Sequence, residues 1–273
     1  MPEANRCEKV TRVADIRTAP EDDHRFAAWA ATEAGELLLE VRSRALEGKE
    51  LKDAGDLAAH DFLMQLLAEH RPDDSVLSEE SRATIEDKSR LTAERVWIID
   101  PLDGTREFSE RPRADWAVHV ALWSNGDLVA GAVAQPGLDT TFSTAEPPVV
   151  PARTHDRPRI AVSRTRPPEF VAALAEEIDA ELVPMGSAGA KVISVVRDVT
   201  DAYVHAGGQY EWDSAAPVAV ARAAGLHTSR ADGAALVYNQ EDVLLPDLLV
   251  CRPELAEQIT GFVQRYWAEH PPA

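Results

Sequence analysis

The chain has 273 residues, 47 of them Asp or Glu against 28 Lys or Arg, for a formal net charge of −19. That length fits one large domain or two packed ones, and a hydrophobic content of 45% excludes a wholly disordered chain. So acidic a chain lacks the basic surface that neutralises nucleic-acid phosphates, and neither a run of about 18 apolar residues nor a signal-peptide core is present, so a soluble cytoplasmic protein without nucleic-acid or membrane partners is expected.

Taken in chain order, Phe26, Ala27, Ala30, Ala34, Leu37, Leu38, Val41 and Leu46 recur at helical spacing behind Asp22 and Asp23, which predicts an amphipathic helix over 23–46. A second helix is predicted over 56–70, stopped by RPDD ahead of a short strand in SVLSEE. Strand-like runs follow in VWIID (96–100), WAVHVALW (116–123) and LVAGAVAQ (128–135). Ser124-Asn125-Gly126-Asp127 joins the last two as a hairpin turn, so an antiparallel sheet is expected after the helices. The proline-rich stretch 146–158 is the best candidate boundary, giving an N-terminal subdomain over residues 1–150 and a C-terminal subdomain over residues 151–273. Beyond it, RIAVS, ELVPM, DAYVH and DLLVC alternate with helical stretches, a pattern of α/β layering. Cys7 and Cys251 lie at opposite ends without metal-ligand spacing and are expected to be free thiols.

Most of the acids must be solvated surface, and only context singles any out. In VWIIDPLDGTREF an apolar strand ends in Asp100, the chain turns through Pro101, and Asp103 follows with Gly104-Thr105. Carboxylates held close at a strand end repel each other unless a proton or divalent cation intervenes, and an all-oxygen set suits Mg²⁺. The plain alternative is a pair of turn-forming aspartates. Gly104 allows close approach to the backbone and Thr105 adds a hydroxyl. Glu79 and Glu80 end another strand, where adjacent acids are more often exposed surface, while Asp213, after Trp212, stands where an aspartate is most often a helix N-cap.

Together, SEE, DPLDGT and WD in this order resemble the signature of the inositol monophosphatase superfamily, the lithium-sensitive, Mg²⁺-dependent phosphomonoesterases. The resemblance runs over nearly the whole chain and implies a layered α-β-α-β-α sandwich. It implies Glu79, Asp100, the Leu102 carbonyl, Asp103 and Asp213 as ligands of two or three Mg²⁺ ions, with Asp100 bridging two. Asp56, 23 positions before Glu79, together with Thr105 resembles the water-activating pair, with Asp61 as a competing candidate. Where the family has V-T-x-A-D, this chain has Lys52-Asp53-Ala54-Gly55-Asp56, so Asp53 stands in place of the usual threonine.

Three further stretches are similar to the 3′(2′),5′-bisphosphate nucleotidase branch of the CysQ type. Arg106-Glu107-Phe108 is similar to its (K/R)-E-F, AVSRTRPPE places Ser163 and Arg164 in its S-R-x-x-x-P, and Gly186–Lys191 looks like its G-x-A-G-x-K loop. The resemblance implies Gly104, Thr105, Arg106, Ser163, Arg164, Gly186, Ser187, Lys191 and Asp213 as substrate-binding residues, with Arg106, Arg164 and Lys191 facing a second phosphate. The residues alone leave Arg164 open as surface, Gly186–Lys191 as a helix-start loop, Tyr210 and Trp212 as core or base-stacking rings, and His119 and His205 as structural. The implied reaction is hydrolysis of 3′-phosphoadenosine 5′-phosphate, and of the corresponding 5′-phosphosulfate, in sulfate assimilation. An inositol-phosphate or fructose-1,6-bisphosphate phosphatase, or a silent metal- or nucleotide-binding protein, are the other readings. A homodimer is admitted by analogy.

Overall fold

The computed structural model describes residues 19–165 and 167–271, so Cys7 lies outside the described residues. Helix α1 (Asp23–Ser43) starts at Asp22, whose carboxylate accepts the Arg25 N–H at 2.9 Å, and buries Phe26, Ala27, Ala30, Ala34, Leu38 and Val41 as its spacing predicts. It ends three residues before the expected Leu46. There the Arg111 guanidinium donates to the carbonyls of Arg42, Arg44 and Leu46 and holds the connection extended. Helix α2 (Gly48–His70) begins eight residues ahead of the expected start, which places Asp56 inside the helix rather than at its first turn. The reason is a stripe of Leu51, Gly55, Ala59, Leu63 and Leu66, buried at roughly every fourth position, that carries the helical repeat back through the polar GKELKD segment.

Sheet 1 has the order β1 (Ser75–Ser78), β2 (Arg95–Asp103), β3 (Ala117–Ser124), β4 (Asp127–Gln135) and β5 (Thr140–Ser143). Strand β1 pairs parallel to β2 and the others pair antiparallel, so the sheet is mixed rather than wholly antiparallel. The short helix α3 (Arg82–Glu86) and a 3₁₀ turn (Lys88–Thr92) form the return connection that a parallel neighbour requires. The β3–β4 hairpin closes on Asn125 and Gly126, both at positive φ (48° and 98°), the backbone a two-residue turn of this twist demands. Strand β2 does not stop at Asp100. It continues through Pro101 to Asp103 with a break in register between the two aspartates.

Sheet 2 has the order β7 (Glu181–Met185), β6 (Arg159–Ser163), β8 (Ala202–Tyr210), β10 (Leu244–Cys251) and β9 (His227–Ser229). Strands β6, β7 and β8 run parallel, and β10 is antiparallel to both β8 and β9. The remaining helices are α4 (Thr105–Ser109), α5 (Glu169–Glu177), α6 (Ala188–Val196), α7 (Glu211–Ala223) and α8 (Ala256–Glu269).

Three apolar cores stack these elements into an α-β-α-β-α sandwich, as the resemblance implied. Helices α1 and α2 cover the outer face of sheet 1 through Trp97, Ile99, Val118, Val120 and Leu122. Helices α6 and α7 fill the space between the sheets against Val96, Ile98, Ala117 and Ala121. Helices α5 and α8 cover the far face of sheet 2. The two-residue alternation of β2 thus sends Val96, Ile98 and then Asp100 toward the middle layer. Sheet 1 is built from residues 75–143 and sheet 2 from 159–251, while the middle core draws on both halves.

The segment between the sheets is fastened to sheet 2 by a buried ionic cluster. Asp201, fully buried, accepts from the Arg159 N–H (2.8 Å), His155 Nε2 (2.6 Å) and Arg252 Nε (2.9 Å). The same guanidinium reaches Asp198 (2.6 Å) and the Pro151 carbonyl (2.9 Å). Cys251 is a buried free thiol in β10, and among the described residues no helix is long and apolar enough to cross a membrane.

Candidate metal centre

Topology delivers the singled-out residues to one edge of the sandwich. The parallel pair β1/β2 releases Glu79 and the Asp100–Thr105 turn at the same end of sheet 1. The parallel strands β6, β7 and β8 release Ser163-Arg164, the Gly186–Lys191 loop and Tyr210–Asp213 at one end of sheet 2. Ligand-bearing loops at the carboxyl ends of parallel strands are the usual outcome of such sheets.

At that edge carboxylate oxygens of Asp100, Asp103 and Asp213 lie within 4.8 Å of one another. Glu79 follows β1 directly, its N–H bonded to the Ile99 carbonyl, which sets it beside Asp100. The acids differ in how the protein treats their charge. Burial opposes ionisation of Asp103, but the charge of the adjacent His119 ring and the hydrogen bond from Ser187 hold it down at about 2. The Ser187 hydroxyl (2.5 Å) and the Gly189 N–H (2.6 Å) donate to its Oδ2, and the Ala188 N–H (3.0 Å) to its Oδ1. The N-terminus of α6 is therefore spent on Asp103.

Asp100 is 1% exposed, and its Oδ1 accepts the Leu102 N–H at 3.0 Å. Burial, followed by the charges of Glu79, Asp103 and Asp213, pushes it well above the usual carboxylate range. Glu79 is exposed as a residue at the rim, yet the crowding of its carboxyl by protein, and next by Asp213, Glu80 and Asp103, raises it to about 7. Asp213 is raised to about 6, by burial first and then by Asp103. It is the third residue of α7 rather than a residue ahead of the helix, and its Oδ2 accepts the Tyr210 N–H at 2.6 Å.

This pattern fits a divalent cation. The donors are all hard oxygens, and three of the four carboxylates carry charge that neighbouring protein groups leave unbalanced. A second group of possible ligands, His155, Asp198 and Asp201, does not share the feature, because Arg252 already binds both aspartates there.

Asp56 reaches the same edge from α2. Gly55 lets the helix approach closely, since a Cβ there would stand 2.8 Å from Phe108 and 2.9 Å from Leu102. Thr105 Oγ1 lies 3.4 Å from Asp56 Oδ1 and 3.2 Å from the Leu102 carbonyl oxygen, so its single proton serves both. Burial, and then Glu80, raises Asp56 to about 7. Asp53, one turn back, is exposed and paired with Lys49, away from this contact.

The expected substrate-binding residues come together only in part. Gly104, left-handed at φ 83°, packs against the Gly186–Lys191 loop, with Ser187 Cβ 3.0 Å from the position a Cβ would take. Arg106 and Arg164 converge on Glu110, at 3.0 and 2.7 Å, and Arg164 also binds the buried Glu107 at 2.6 Å. The pair therefore arrives with its charge balanced by two glutamates. Ser163 ends β6 next to Arg164, and its hydroxyl lies 3.4 Å from Thr165 Oγ1. Lys191 does not face outward: its ammonium is buried and donates to the carbonyls of Gly186 (3.2 Å) and Ser187 (2.7 Å). Gly186 donates its N–H to Asp115 at 2.8 Å, a partner that the sequence does not point out. Tyr210 is 47% exposed and stacked on the buried Trp212, with ring centroids 4.7 Å apart.

His119, expected to be structural, belongs to this centre. It is fully buried, pairs in register with Asp100, and donates from Nδ1 to the Trp212 carbonyl at 3.0 Å. Its Nε2 lies 3.2 Å from Asp103 Oδ2, within reach of charge attraction though off the line of an ideal hydrogen bond. The signal available beforehand was the alternation of β3, which places His119 on the inward face with Ala117 and Ala121.

The sequence model of the inositol monophosphatase family matches residues 20–268. The 3′-phosphoadenosine 5′-phosphate phosphatase of Mycobacterium leprae is 47% identical over 259 residues, covering 90% of this chain and 94% of that protein. The 3′(2′),5′-bisphosphate nucleotidase CysQ of Escherichia coli is 33% identical over 204 residues, covering 70% of this chain and 81% of that one. Among solved structures, CysQ from Bacteroides thetaiotaomicron has a TM-score of 0.70 at 28% identity, covering 83% of this chain and 96% of its own.

Proposed function

This chain belongs to the inositol monophosphatase family, and from that premise we propose that it is a Mg²⁺-dependent phosphomonoesterase that converts 3′-phosphoadenosine 5′-phosphate to AMP and phosphate. The observation that carries the metal assignment is the convergence of Asp100, Asp103 and Asp213, with Glu79 beside them, as buried or crowded carboxylates of largely unbalanced charge. The nucleotide assignment draws on the relatives' names. In sulfate assimilation such an activity clears the nucleotide by-product of sulfate transfer.

Asp100, Asp103, Asp213, Glu79 and the Leu102 carbonyl would hold two Mg²⁺ ions, which when bound offset the substrate's negative charge and make water a stronger acid. Asp56, poised near neutrality and tied to Thr105, takes the proton of the attacking water. Attack on phosphorus breaks its bond to the ribose 3′ oxygen, which takes a proton from solvent as it leaves, and Asp56 then returns its proton to solvent. The Gly186–Lys191 loop holds Asp103 ionised and fixed through three donors. Arg106 and Arg164 receive the second phosphate by exchanging Glu110 for it, an exchange that favours a doubly charged anion over a neutral sugar hydroxyl.

Phosphate release from 3′-phosphoadenosine 5′-phosphate, inositol 1-phosphate and fructose 1,6-bisphosphate, run in parallel with Mg²⁺ and with EDTA, tests this assignment. The expected result is a kcat/KM for the nucleotide at least about tenfold above either sugar phosphate, abolished by EDTA, as a charge-assisted contact to a second phosphate would give. A preference for a sugar phosphate would overturn the nucleotide assignment. Turnover that persists in EDTA would overturn the metal assignment.

A further inference from the structure

We propose that His119 is a positioning residue that ties Asp103 and Asp213 into one rigid pair of carboxylates and thereby sets the affinity of the centre for a divalent cation. The proposal rests on the metal assignment above.

A fully buried imidazole is costly, and an aliphatic side chain would pack the middle layer at this inward position of β3 just as well. The ring instead spans the centre. Its Nδ1 is bonded at 3.0 Å to the carbonyl of Trp212, the residue before Asp213, so it fixes the first turn of α7. Its Nε2 stands 3.2 Å from Asp103 at the end of β2, and Asp100 Oδ2 is 3.9 Å from Nδ1. One ring thus connects β2 of sheet 1 to a helix whose N-terminus follows β8 of sheet 2.

The opposite wall is built to admit it. A Cβ on Gly189 would stand 2.1 Å from His119 Nε2 and 3.1 Å from Asp103 Oδ2, so the loop needs glycine at this position for the ring and the carboxylate to meet. Groups that hold a ligating carboxylate change metal affinity by about 10–100-fold when removed. His119 abuts one such carboxylate at 3.2 Å and holds the backbone of the residue next to the other.

The test is calorimetric titration of metal-stripped protein with Mg²⁺ in the absence of substrate, with kinetics at saturating Mg²⁺ alongside. His119→Leu is expected to weaken Mg²⁺ binding at least about tenfold. The KM for the nucleotide at saturating Mg²⁺ should change less than about threefold, since the ring is fully buried behind the acids. His119→Gln, which keeps a polar side chain able to place an N–H beside Asp103, should recover binding to within about threefold of wild type, whereas a purely structural role would show as lower thermal stability with unchanged affinity. Should His119→Leu fail to fold, Gly189→Ala displaces the ring without removing it and is expected to weaken binding in the same direction. Wild-type affinity in His119→Leu and Gly189→Ala, or His119→Gln as weak as His119→Leu, overturns the proposal. Absence of Mg²⁺ binding by the wild-type protein would instead overturn the metal assignment on which it rests.

Discussion

Asp100→Asn is expected to lower kcat by about a thousandfold or more, some 4 kcal/mol of transition-state stabilisation, while leaving the fold intact. Asparagine has the same shape and keeps an oxygen for the Leu102 N–H at 3.0 Å, so the β2 turn has no reason to move. What disappears is a charge that sits 1% exposed beside Glu79, Asp103 and Asp213. Without a cation that charge is a burden on the folded state, because burial and three like neighbours all oppose its ionisation. In EDTA the variant should therefore melt at the same temperature as wild type or higher, even as turnover collapses. Opposite movement of activity and stability separates a ligand from a structural aspartate. A kcat within tenfold of wild type, or a marked loss of thermal stability in EDTA, would remove Asp100 from the centre.

The largest effect on stability is expected at Arg252. Its guanidinium is 9% exposed and divides its donors between Asp201 (2.9 Å), Asp198 (2.6 Å) and the Pro151 carbonyl (2.9 Å). Removing one partner of a buried ion pair leaves the other charge without compensation, which costs about 3–5 kcal/mol. For a chain of this size that corresponds to a drop in Tm of about 10 °C. Arg252→Leu should show this loss by scanning calorimetry. Its kcat and KM at 25 °C should stay at wild-type values, because the cluster lies on the segment between the sheets and not at the acid edge. A change in Tm of under about 3 °C would mean that His155 and the backbone donors suffice to hold Asp201.

The features of the structure that were legible in the sequence are those governed by local periodicity. Helical spacing located α1 because its apolar stripe is continuous, and Asn125-Gly126 marked the hairpin because few other pairs accept two positive φ angles. The acids were legible for a different reason: an aspartate at the end of a run such as VWIID breaks the apolar pattern at a strand terminus, where the chain presents side chains to a cleft. What escaped was decided by partners far along the chain. The parallel pairing of β1 with β2 depends on the return path through residues 79–94, which has no strong periodic signature. Strands β5 and β9, of four and three residues, are too short to show alternation. The Asp201–Arg252 cluster joins residues 51 positions apart.

The same limit explains the loop at Gly186–Lys191. Its composition announces a turn rich in backbone donors, but not that Asp103, 84 to 86 positions earlier, claims them, or that Lys191 folds back onto its own carbonyls. The consequence is functional. The loop fixes an acid, and the guanidinium groups at this edge, Arg106 and Arg164, are paired with Glu107 and Glu110.

Whether the acids at this edge form a divalent-cation centre is tested by equilibrium binding of Mn²⁺ to EDTA-stripped protein, followed by electron paramagnetic resonance of the free ion, for wild type and for Asp100→Asn. The wild-type protein is expected to bind saturably and the variant to lose at least about tenfold in affinity, with both proteins equally folded by circular dichroism. Wild-type protein that leaves Mn²⁺ free in solution, or an Asp100→Asn variant that binds it as tightly, would contradict the metal assignment.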